Sequence, residues 1–340
     1  MKRIFPLFGI IILCLLCGCG EMRESPYERE LFAMDTYMKL TAYGDNPEAA
    51  LDMAEEKITE LEELFSVTLS TSDIGRLNSS MGVPTEVDDQ TSALISRSKI
   101  LSEKTDGAVD ITVYPLVREW GFTTGNYSVL SSERTEELLK FTGSSYISVS
   151  ENTVTIPENF QLDLGSAAKG YAGEKAAEIL KEAGISSAIM NLGGNIQTVG
   201  EKPDGSPWKV AVTDPLSPSE VICTISVRDK AVVTSGNYQR FFMGEDGRKY
   251  CHIIDPKTGR PVDNGLASVT VIGSSGTDCD LLSTALFVMG EESAVEFIKE
   301  NSGFDMLLIT EDGRVIITGN IFNDTEFTEK EIKNNAEVIV

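Results

Sequence analysis

Residues 252–284 read HIIDPKTGRPVDNGLASVTVIGSSGTDCDLLST, a stretch that predicts a β-branched strand followed by a helix. Asp280 and Thr284 lie four residues apart at the predicted start of that helix, and positions i and i+4 share one helix face. A carboxylate and a hydroxyl on one face supply the oxygen ligands that Mg²⁺ prefers. A helix N-terminus also favours phosphate. The stretch therefore predicts metal-assisted chemistry on a phosphate.

The same stretch begins with His252, the only histidine of the chain. It is the only side chain expected to titrate near neutral pH, so it is a candidate general base. A lone histidine is more often structural and held by a neighbouring backbone group, so both interpretations stay open.

In the rest of the chain, the hydrophobic pattern of the sequence predicts a mixture of helices and short strands. Helices are predicted from Pro47 to about Phe65, over 90–105, after a cap at Ser131 or Ser132, and over 166–183 before Gly184. β-branched runs predict strands at 187–191, 208–213, 221–227, 231–235, 268–272, 305–310 and 313–318. Residues 310–314 are predicted to form the hairpin loop between the last two. Without a regular βαβ alternation, an α+β fold is favoured, and no dinucleotide or P-loop motif is present.

Three further segments combine small, polar or aromatic residues. Residues 162–171 (LDLGSAAKGY) predict a turn from a strand into a helix, either an ordinary cap or a place where a phosphate approaches the backbone. The paired glycines of 190–195 (MNLGGN) favour a plain turn or bulge when taken alone. The aromatics of 106–122 could line a pocket for a flat heterocycle, although such residues are more often core.

The N-terminal residues resemble the signal of a bacterial lipoprotein. Lys2 and Arg3 precede a short apolar run that ends in Leu16-Cys17-Gly18-Cys19, and this run is too short to span a bilayer as a stable helix. We expect cleavage before Cys19 and lipidation of that cysteine, which predicts a protein anchored on the outer face of a membrane. An ordinary secretory signal or a simple anchor is the alternative.

The chain is strongly acidic, with 29 basic and 53 acidic residues and a net charge of −24. This charge argues against general binding of nucleic acid or anionic lipid. An anionic substrate would need a cation or local lysines to offset the repulsion. Cys223, Cys251 and Cys279 remain after the signal and form no CxxC pair, so one disulfide with a free thiol or three free thiols are expected.

Eight blocks in a fixed order resemble the FAD:protein FMN transferase family, the ApbE-type flavin transferases, over nearly all of residues 30–325. The blocks are AMDTYM (33–38), SDIGRLN (72–78), DGAVDITVYPLVREWGF (106–122), LDLGSAAKGYA (162–172), MNLGGNIQTVG (190–200), TSGNYQRFF (234–242), HIIDPKTGRPV (252–262) and DCDLLSTALFVMG (278–290).

The resemblance implies a T-fold-related α+β protein that binds FAD with Mg²⁺. Such a protein transfers FMN to a threonine or serine hydroxyl of an acceptor protein and releases AMP. The FAD contacts that the resemblance implies are Met34, Tyr114, Pro115, Leu116, Asp163, Lys169 and Ile254. The metal ligands that it implies are Ser166 through its backbone carbonyl, Asp280, Ser283 and Thr284. His252 and Asp280 are the expected catalytic residues.

The chain departs from the family pattern at two places. Many members carry an aspartate where this chain has Ser283, and a hydroxyl is a weaker Mg²⁺ ligand than a carboxylate. Many members also have an aromatic residue near position 68, where this chain reads Val67-Thr68-Leu69. Either weaker metal binding or compensation by Asp278 or water is therefore expected, together with the loss of one stacking contact with the flavin.

These interpretations divide the chain into four parts: a signal at 1–18, a tether at 19–28, a transferase domain at 29–330 and a tail at 331–340. A membrane redox subunit is the expected acceptor. Two other functions stay open, an FAD pyrophosphatase in which water replaces the acceptor hydroxyl, and a lipid-anchored flavin-binding protein without catalysis.

Overall fold

A computed structural model describes residues 25–339 of the chain. The expected signal, Cys19 and most of the expected tether lie outside these residues. The first strand begins at Tyr27, within the segment assigned to the tether.

Helices and short strands alternate irregularly, as the sequence predicts. The α-helices are α1 (Pro47–Phe65), α2 (Asp73–Asn78), α3 (Asp89–Lys104), α4 (Tyr114–Glu119), α5 (Ser132–Leu139), α6 (Ala168–Glu182), α7 (Gly276–Met289), α8 (Glu291–Glu300), α9 (Gly319–Phe322) and α10 (Lys330–Asn335). The strands before residue 230 are β1 (Tyr27–Ala33), β2 (Thr36–Tyr43), β3 (Thr85–Glu86), β4 (Ser148–Ser150), β5 (Thr153–Thr155), β6 (Ser187–Leu192), β7 (Asn195–Gly200), β8 (Trp208–Thr213) and β9 (Val221–Val227). The later strands are β10 (Ala231–Gly236), β11 (Phe241–Met243), β12 (Lys249–Cys251), β13 (Ile254–Asp255), β14 (Arg260–Pro261), β15 (Leu266–Gly273), β16 (Asp305–Thr310), β17 (Val315–Thr318), β18 (Thr325–Phe327) and β19 (Glu337–Ile339).

A nine-stranded sheet forms the centre of the fold, in the order β1-β2-β6-β7-β10-β15-β16-β17-β19. Its neighbouring strands are antiparallel except for the parallel pair β17 and β19. Every residue of the inner strand β15 is buried, which agrees with a composition that is apolar or β-branched except at Ser268. The irregular order of helices and strands confirms the α+β class.

Two apolar layers cover the two faces of this sheet. One face packs against α1, α6 and α7, and the other against the three-stranded sheet β18-β9-β8. Helix α1 shows why the sequence folds this way: Pro47 begins it, and Ala50, Ala54, Ile58 and Leu61 form its buried stripe.

The strand predictions are confirmed, with β17 beginning at Val315 after the predicted loop. Helix α6 begins at Ala168, two residues later than predicted. All three described cysteines are buried free thiols, so the disulfide alternative is wrong. Residues 330–339, most of which were assigned to a tail, contribute α10 and the edge strand β19.

Within residues 25–339, no helix is both long enough and apolar enough to cross a membrane.

Candidate active site

A cleft of about 320 Å³ lies where the turn between β1 and β2, the start of α6, the end of β10 and the first half of α7 meet. Eight residues predicted from the sequence line it: Met34, Asp163, Ser166, Lys169, His252, Ile254, Asp280 and Thr284. Four other predicted residues do not: Tyr114, Pro115, Leu116 and Ser283.

Asp280 is a buried carboxylate held against the start of a neighbouring helix. It is 4% exposed, and its Oδ2 accepts a hydrogen bond of 2.8 Å from the Gly170 amide in the first turn of α6. Amides in a first helical turn have no partner inside their own helix, so this bond satisfies both groups. Burial raises the pKa of Asp280, while the positive charge of Lys169 opposes the rise. A bound cation would relieve the desolvation of this carboxylate.

The close contact between α6 and α7 depends on glycine. A Cβ atom on Gly170 would lie 2.2 Å from the carbonyl oxygen of Gly276 and 2.6 Å from the Cβ of Asp280. Beside this contact, Glu174 accepts hydrogen bonds from the Ser275 hydroxyl and the Thr277 amide, which fixes the start of α7. The two helices therefore pack closely enough to place Asp280 in the cleft.

Of the two adjacent hydroxyls on α7, Thr284 lies in the cleft and Ser283 does not. Ser283 is fully buried, and its Oγ donates to the carbonyl oxygen of Asp280 at 2.9 Å. It also lies 2.9 Å from the Oγ of Ser235 on β10. The Oγ1 of Thr284 lies 3.2 Å from the same Ser235 oxygen. The structure therefore places Ser235, rather than Ser283, at the cleft wall, and it does not bring the Ser283 hydroxyl to the predicted metal site.

The start of α6 carries one charge of each sign. Asp163 Oδ1 accepts a hydrogen bond of 2.8 Å from the Gly165 amide. Burial raises the pKa of Asp163, against the opposing effects of this amide and of the Lys169 and Arg240 charges. Ser166 also lines the cleft, at the turn before α6 begins. Asp163, Ser166 and Lys169 of this motif therefore all line the cleft.

His252 is held by the backbone of Arg240. Its amide donates to the Arg240 carbonyl oxygen at 3.0 Å, and its Nδ1 lies 3.2 Å from the same oxygen. A carbonyl can only accept, so the proton resides on Nδ1 and the lone pair on Nε2. Burial lowers the pKa of His252 to about 4, and the Arg240 charge adds to this effect. The imidazole is therefore neutral at pH 7, with Nε2 able to accept a proton.

The aromatic run 106–122 contributes other residues than those predicted. Val113, Val117 and Phe122 line the cleft, whereas Leu116 and Trp120 are fully buried in an apolar cluster that Phe122 also joins. Helical spacing explains the difference, because Val113 and Val117 share one face of the short helix α4 and Leu116 and Trp120 share another.

Met34 lies in a strained turn at the mouth of the cleft. Met34 and Asp35 connect β1 to β2 with φ angles of 50° and 59°. Two positive φ values define a type I′ turn, which normally contains asparagine and glycine. The Met34 amide donates to Glu62 Oε1 on α1 at 2.7 Å, which holds the turn in place. Strain of this kind concentrates at functional sites.

Two residues that the sequence did not single out also line the cleft, Asn195 and Arg240. Asn195 is 6% exposed and close enough to Asp280 to favour its charged form, yet within the described residues its Nδ2 has no acceptor in hydrogen-bond geometry. A buried donor without a partner costs about 1–3 kcal/mol. The MNLGGN motif thus forms both a turn and part of the cleft, and its asparagine was the available signal.

The oxygen ligands at Asp280 and Thr284, with the backbone near Ser166, suit a hard divalent cation. Residues 25–339 contain no group of three or more histidine, cysteine, aspartate or glutamate side chains arranged to hold a metal. One carboxylate leaves coordination positions for water and phosphate oxygens, which is how Mg²⁺ is commonly bound. The ligands present therefore fit this ion.

Comparison with known proteins identifies the family. The profile of the ApbE family matches residues 34–308. The chain is 32% identical over 337 residues to the FAD:protein FMN transferase of Treponema pallidum, covering 92% of this chain and 93% of that protein. It is 32% identical over 322 residues to the enzyme of the same name from Vibrio cholerae, covering 90% and 94%.

Solved structures show the same fold. The crystal structure of the ApbE protein from Thermotoga maritima superposes with a TM-score of 0.80 and 35% identity, covering 86% of this chain and 96% of that one. The apo form of the Pseudomonas stutzeri flavinyl transferase ApbE gives a TM-score of 0.78 and 29% identity, covering 87% and 95%.

Proposed function

The chain belongs to the ApbE family, and we propose that it transfers FMN from FAD to a threonine or serine hydroxyl of an acceptor protein, with Mg²⁺ bound at Asp280. Its relatives are named FAD:protein FMN transferases, and similarity to one of them extends over 92% of this chain. The chain is accordingly a flavin transferase. The metal, the acceptor hydroxyl and the membrane anchor are the finer parts of the proposal.

The observation that carries the metal site is the buried Asp280 carboxylate, which shares the cleft wall with Thr284. Burial disfavours its charge, and the Gly170 amide and Lys169 compensate in part. Asp280, Thr284 and the backbone at Ser166 would hold the ion. When bound, Mg²⁺ neutralises charge on the FAD phosphates and favours departure of AMP.

His252 removes the proton from the acceptor hydroxyl. Its Nε2 lone pair is available at neutral pH because Nδ1 carries the proton. The acceptor oxygen forms a bond to the phosphorus of the FMN half, and the bond from that phosphorus to the bridging oxygen breaks. AMP leaves with the electron pair, and the hydroxyl proton moves to Nε2 and then to solvent. A pKa near 4 makes this imidazole a weak base, so positioning of the acceptor supplies much of the rate.

The acceptor lies close to a membrane in this proposal. The pattern Leu16-Cys17-Gly18-Cys19 supports lipidation at Cys19, and strand β1 begins eight residues later at Tyr27. Eight extended residues span at most about 28 Å. The cleft therefore stays near the outer face of the membrane that holds the anchor, where a membrane-bound redox subunit presents its hydroxyl. Replacing Cys19 with serine should move the chain from the membrane fraction to the soluble fraction; retention in the membrane would contradict the anchor.

The test of the reaction uses the full chain in detergent with FAD and Mg²⁺, with and without an acceptor peptide that contains a threonine. Chromatography measures AMP, and mass spectrometry measures the peptide. We expect AMP and an FMN adduct on the threonine, and a peptide with valine in its place should carry no adduct. AMP and free FMN without any adduct would instead identify an FAD pyrophosphatase. Bound FAD without AMP would identify a flavin-binding protein.

A further inference from the structure

Arg240 is an arginine without a carboxylate partner in a strongly acidic chain. Nine other arginines lie among the described residues, and all but Arg118 and Arg260 form ion pairs: Arg29, Arg76, Arg97, Arg134, Arg228, Arg248 and Arg314. Within residues 25–339, Arg240 forms no such pair, although the chain has a net charge of −24. It is exposed and lines the cleft. A cation left unpaired at this place is available to an anionic ligand.

The position of Arg240 is fixed from two sides. Its Nη2 donates to the carbonyl oxygen of Phe122 at 2.8 Å, and its own carbonyl oxygen accepts from both the amide and Nδ1 of His252. Four of its five N–H donors remain beyond the Phe122 bond. Arg240 therefore orients His252 through its backbone carbonyl, and its side chain keeps four N–H donors for another acceptor.

Lys169 acts on the same groups as Arg240. Both charges favour the ionised form of Asp163, and both disfavour protonation of His252. Two cations thus line the cleft together with the buried carboxylate of Asp280. Around a pyrophosphate, the carboxylate would bind a metal ion, and the two cations would bind phosphate oxygens.

We propose that Arg240 is a further catalytic residue, whose guanidinium binds a phosphate oxygen of FAD and stabilises the negative charge that develops on AMP as the pyrophosphate bond breaks. This inference rests on the proposed flavin transfer. The acceptor oxygen bonds to the FMN phosphorus, the bond to the bridging oxygen breaks, and the electron pair leaves with AMP beside Arg240. A guanidinium suits this role better than an ammonium because its planar donors match two phosphate oxygens.

A purely structural role predicts a different outcome. If Arg240 only fastens the loop at Phe122, its removal lowers stability and the fraction of enzyme that binds FAD, but not the rate per FAD-binding molecule. If it acts on the phosphates, the rate of AMP release falls more than the affinity for FAD. The separation of kcat from Kd therefore distinguishes the two roles.

The experiment compares Arg240→Ala and Arg240→Lys with Arg248→Ala in the full chain. Arg248 is a suitable control because it lies on the adjacent hairpin, is 76% exposed, and only reaches Asp246 at 3.9 Å. Flavin fluorescence gives the Kd for FAD and the active fraction, and AMP release gives kcat per active molecule. Melting temperature reports on folding.

For Arg240→Ala we expect kcat to fall about 100-fold or more, the range for loss of one transition-state donor, with a smaller change in Kd. Arg240→Lys should recover part of this loss, added guanidinium should raise the rate of the alanine variant, and Arg248→Ala should match the wild type. A kcat per active molecule within about threefold of wild type, in either Arg240 variant that folds, would overturn the inference. Absence of peptide flavinylation by the wild type would instead count against the proposed function.

Discussion

The Oδ2 atom of Asp280 lies 2.8 Å from the amide of Gly170 and accepts its hydrogen bond, which joins the first turn of α6 to the second turn of α7. This bond connects two sequence motifs that are 110 residues apart. It places a carboxylate where backbone donors and Lys169 support its charge, although burial raises its pKa. A carboxylate in this position is suited to a cation and costs stability without one.

Replacing Asp280 with asparagine should therefore abolish activity and increase stability in the absence of metal. The amide oxygen can still accept from Gly170, while the desolvated charge is removed. The folded-state pKa of Asp280 is raised, so this group favours folding at low pH and loses that contribution as pH rises through its folded pKa. The increase in unfolding free energy should be about 1–3 kcal/mol at pH 7 and smaller at pH 4.

Urea denaturation at the two pH values measures this difference. Addition of Mg²⁺ should raise the midpoint of the wild type but not that of Asp280→Asn, because only the former binds the ion. Equal Mg²⁺ effects on both proteins would mean that the ion binds elsewhere.

Gly170→Ala should damage the contact between the two helices. Its Cβ would lie 2.2 Å from the backbone oxygen of Gly276, so one helix must shift. We expect a loss of about 1–3 kcal/mol of unfolding free energy, together with reduced FAD cleavage because Asp280 moves with α7. Gly303→Ala is the matched control, since a Cβ there meets no atom within 4 Å. Similar thermal melting of both variants would contradict this view of the junction.

Thr284→Val and Ser283→Ala should separate the two neighbouring hydroxyls. Thr284 lines the cleft, so its loss should weaken Mg²⁺ affinity by roughly tenfold, as loss of one ligand or supporting group does. Ser283 bonds to Ser235 and to the Asp280 carbonyl, so its loss should leave Mg²⁺ affinity nearly unchanged. The dependence of AMP release on Mg²⁺ concentration gives both values. A larger effect from Ser283→Ala would restore Ser283 as a ligand.

His252→Gln should lower FMN transfer about 100-fold or more and change how stability depends on pH. The folded-state pKa of His252 is lowered to about 4 from 6.5, so the unfolded chain binds the proton more readily and stability falls as pH drops through this interval. Glutamine removes that contribution. The wild type should lose more of its urea midpoint between pH 7 and pH 5 than the variant does. Parallel losses would show that His252 is not buried in its neutral form.

The sequence predicted seven of the nineteen strands among the described residues, and eight of the twelve residues expected to bind FAD or metal, or to catalyse transfer, line the cleft. β-branched runs predict the strands, and ordered motifs predict the site residues, and both patterns depend only on residues that are close in sequence. Ser283 shows the limit of such patterns. Positions 280, 283 and 284 all lie within about 100° on a helical wheel, so the spacing of the residues could not separate the two hydroxyls. The contact between Ser235 on β10 and Ser283 on α7 distinguishes the two hydroxyls in the structure.

Asn195 and Arg240 were missed for a related reason. Each lies within a quoted motif, but its role depends on strands and loops that are distant in sequence. The paired glycines beside Asn195 account for a turn by themselves, and Gly193 is required because a Cβ would meet the Thr36 hydroxyl at 2.2 Å. Only the three-dimensional structure shows that this turn also brings an unpaired amide to the cleft.

The most direct test of the account measures the mass of an acceptor domain after incubation with FAD and the full chain, over a series of Mg²⁺ concentrations. The wild type should add one FMN to a threonine or serine in a Mg²⁺-dependent manner, and Asp280→Asn should add none although it folds. Flavinylation that proceeds without a divalent cation, or that persists in Asp280→Asn, would contradict the proposed metal-assisted transfer.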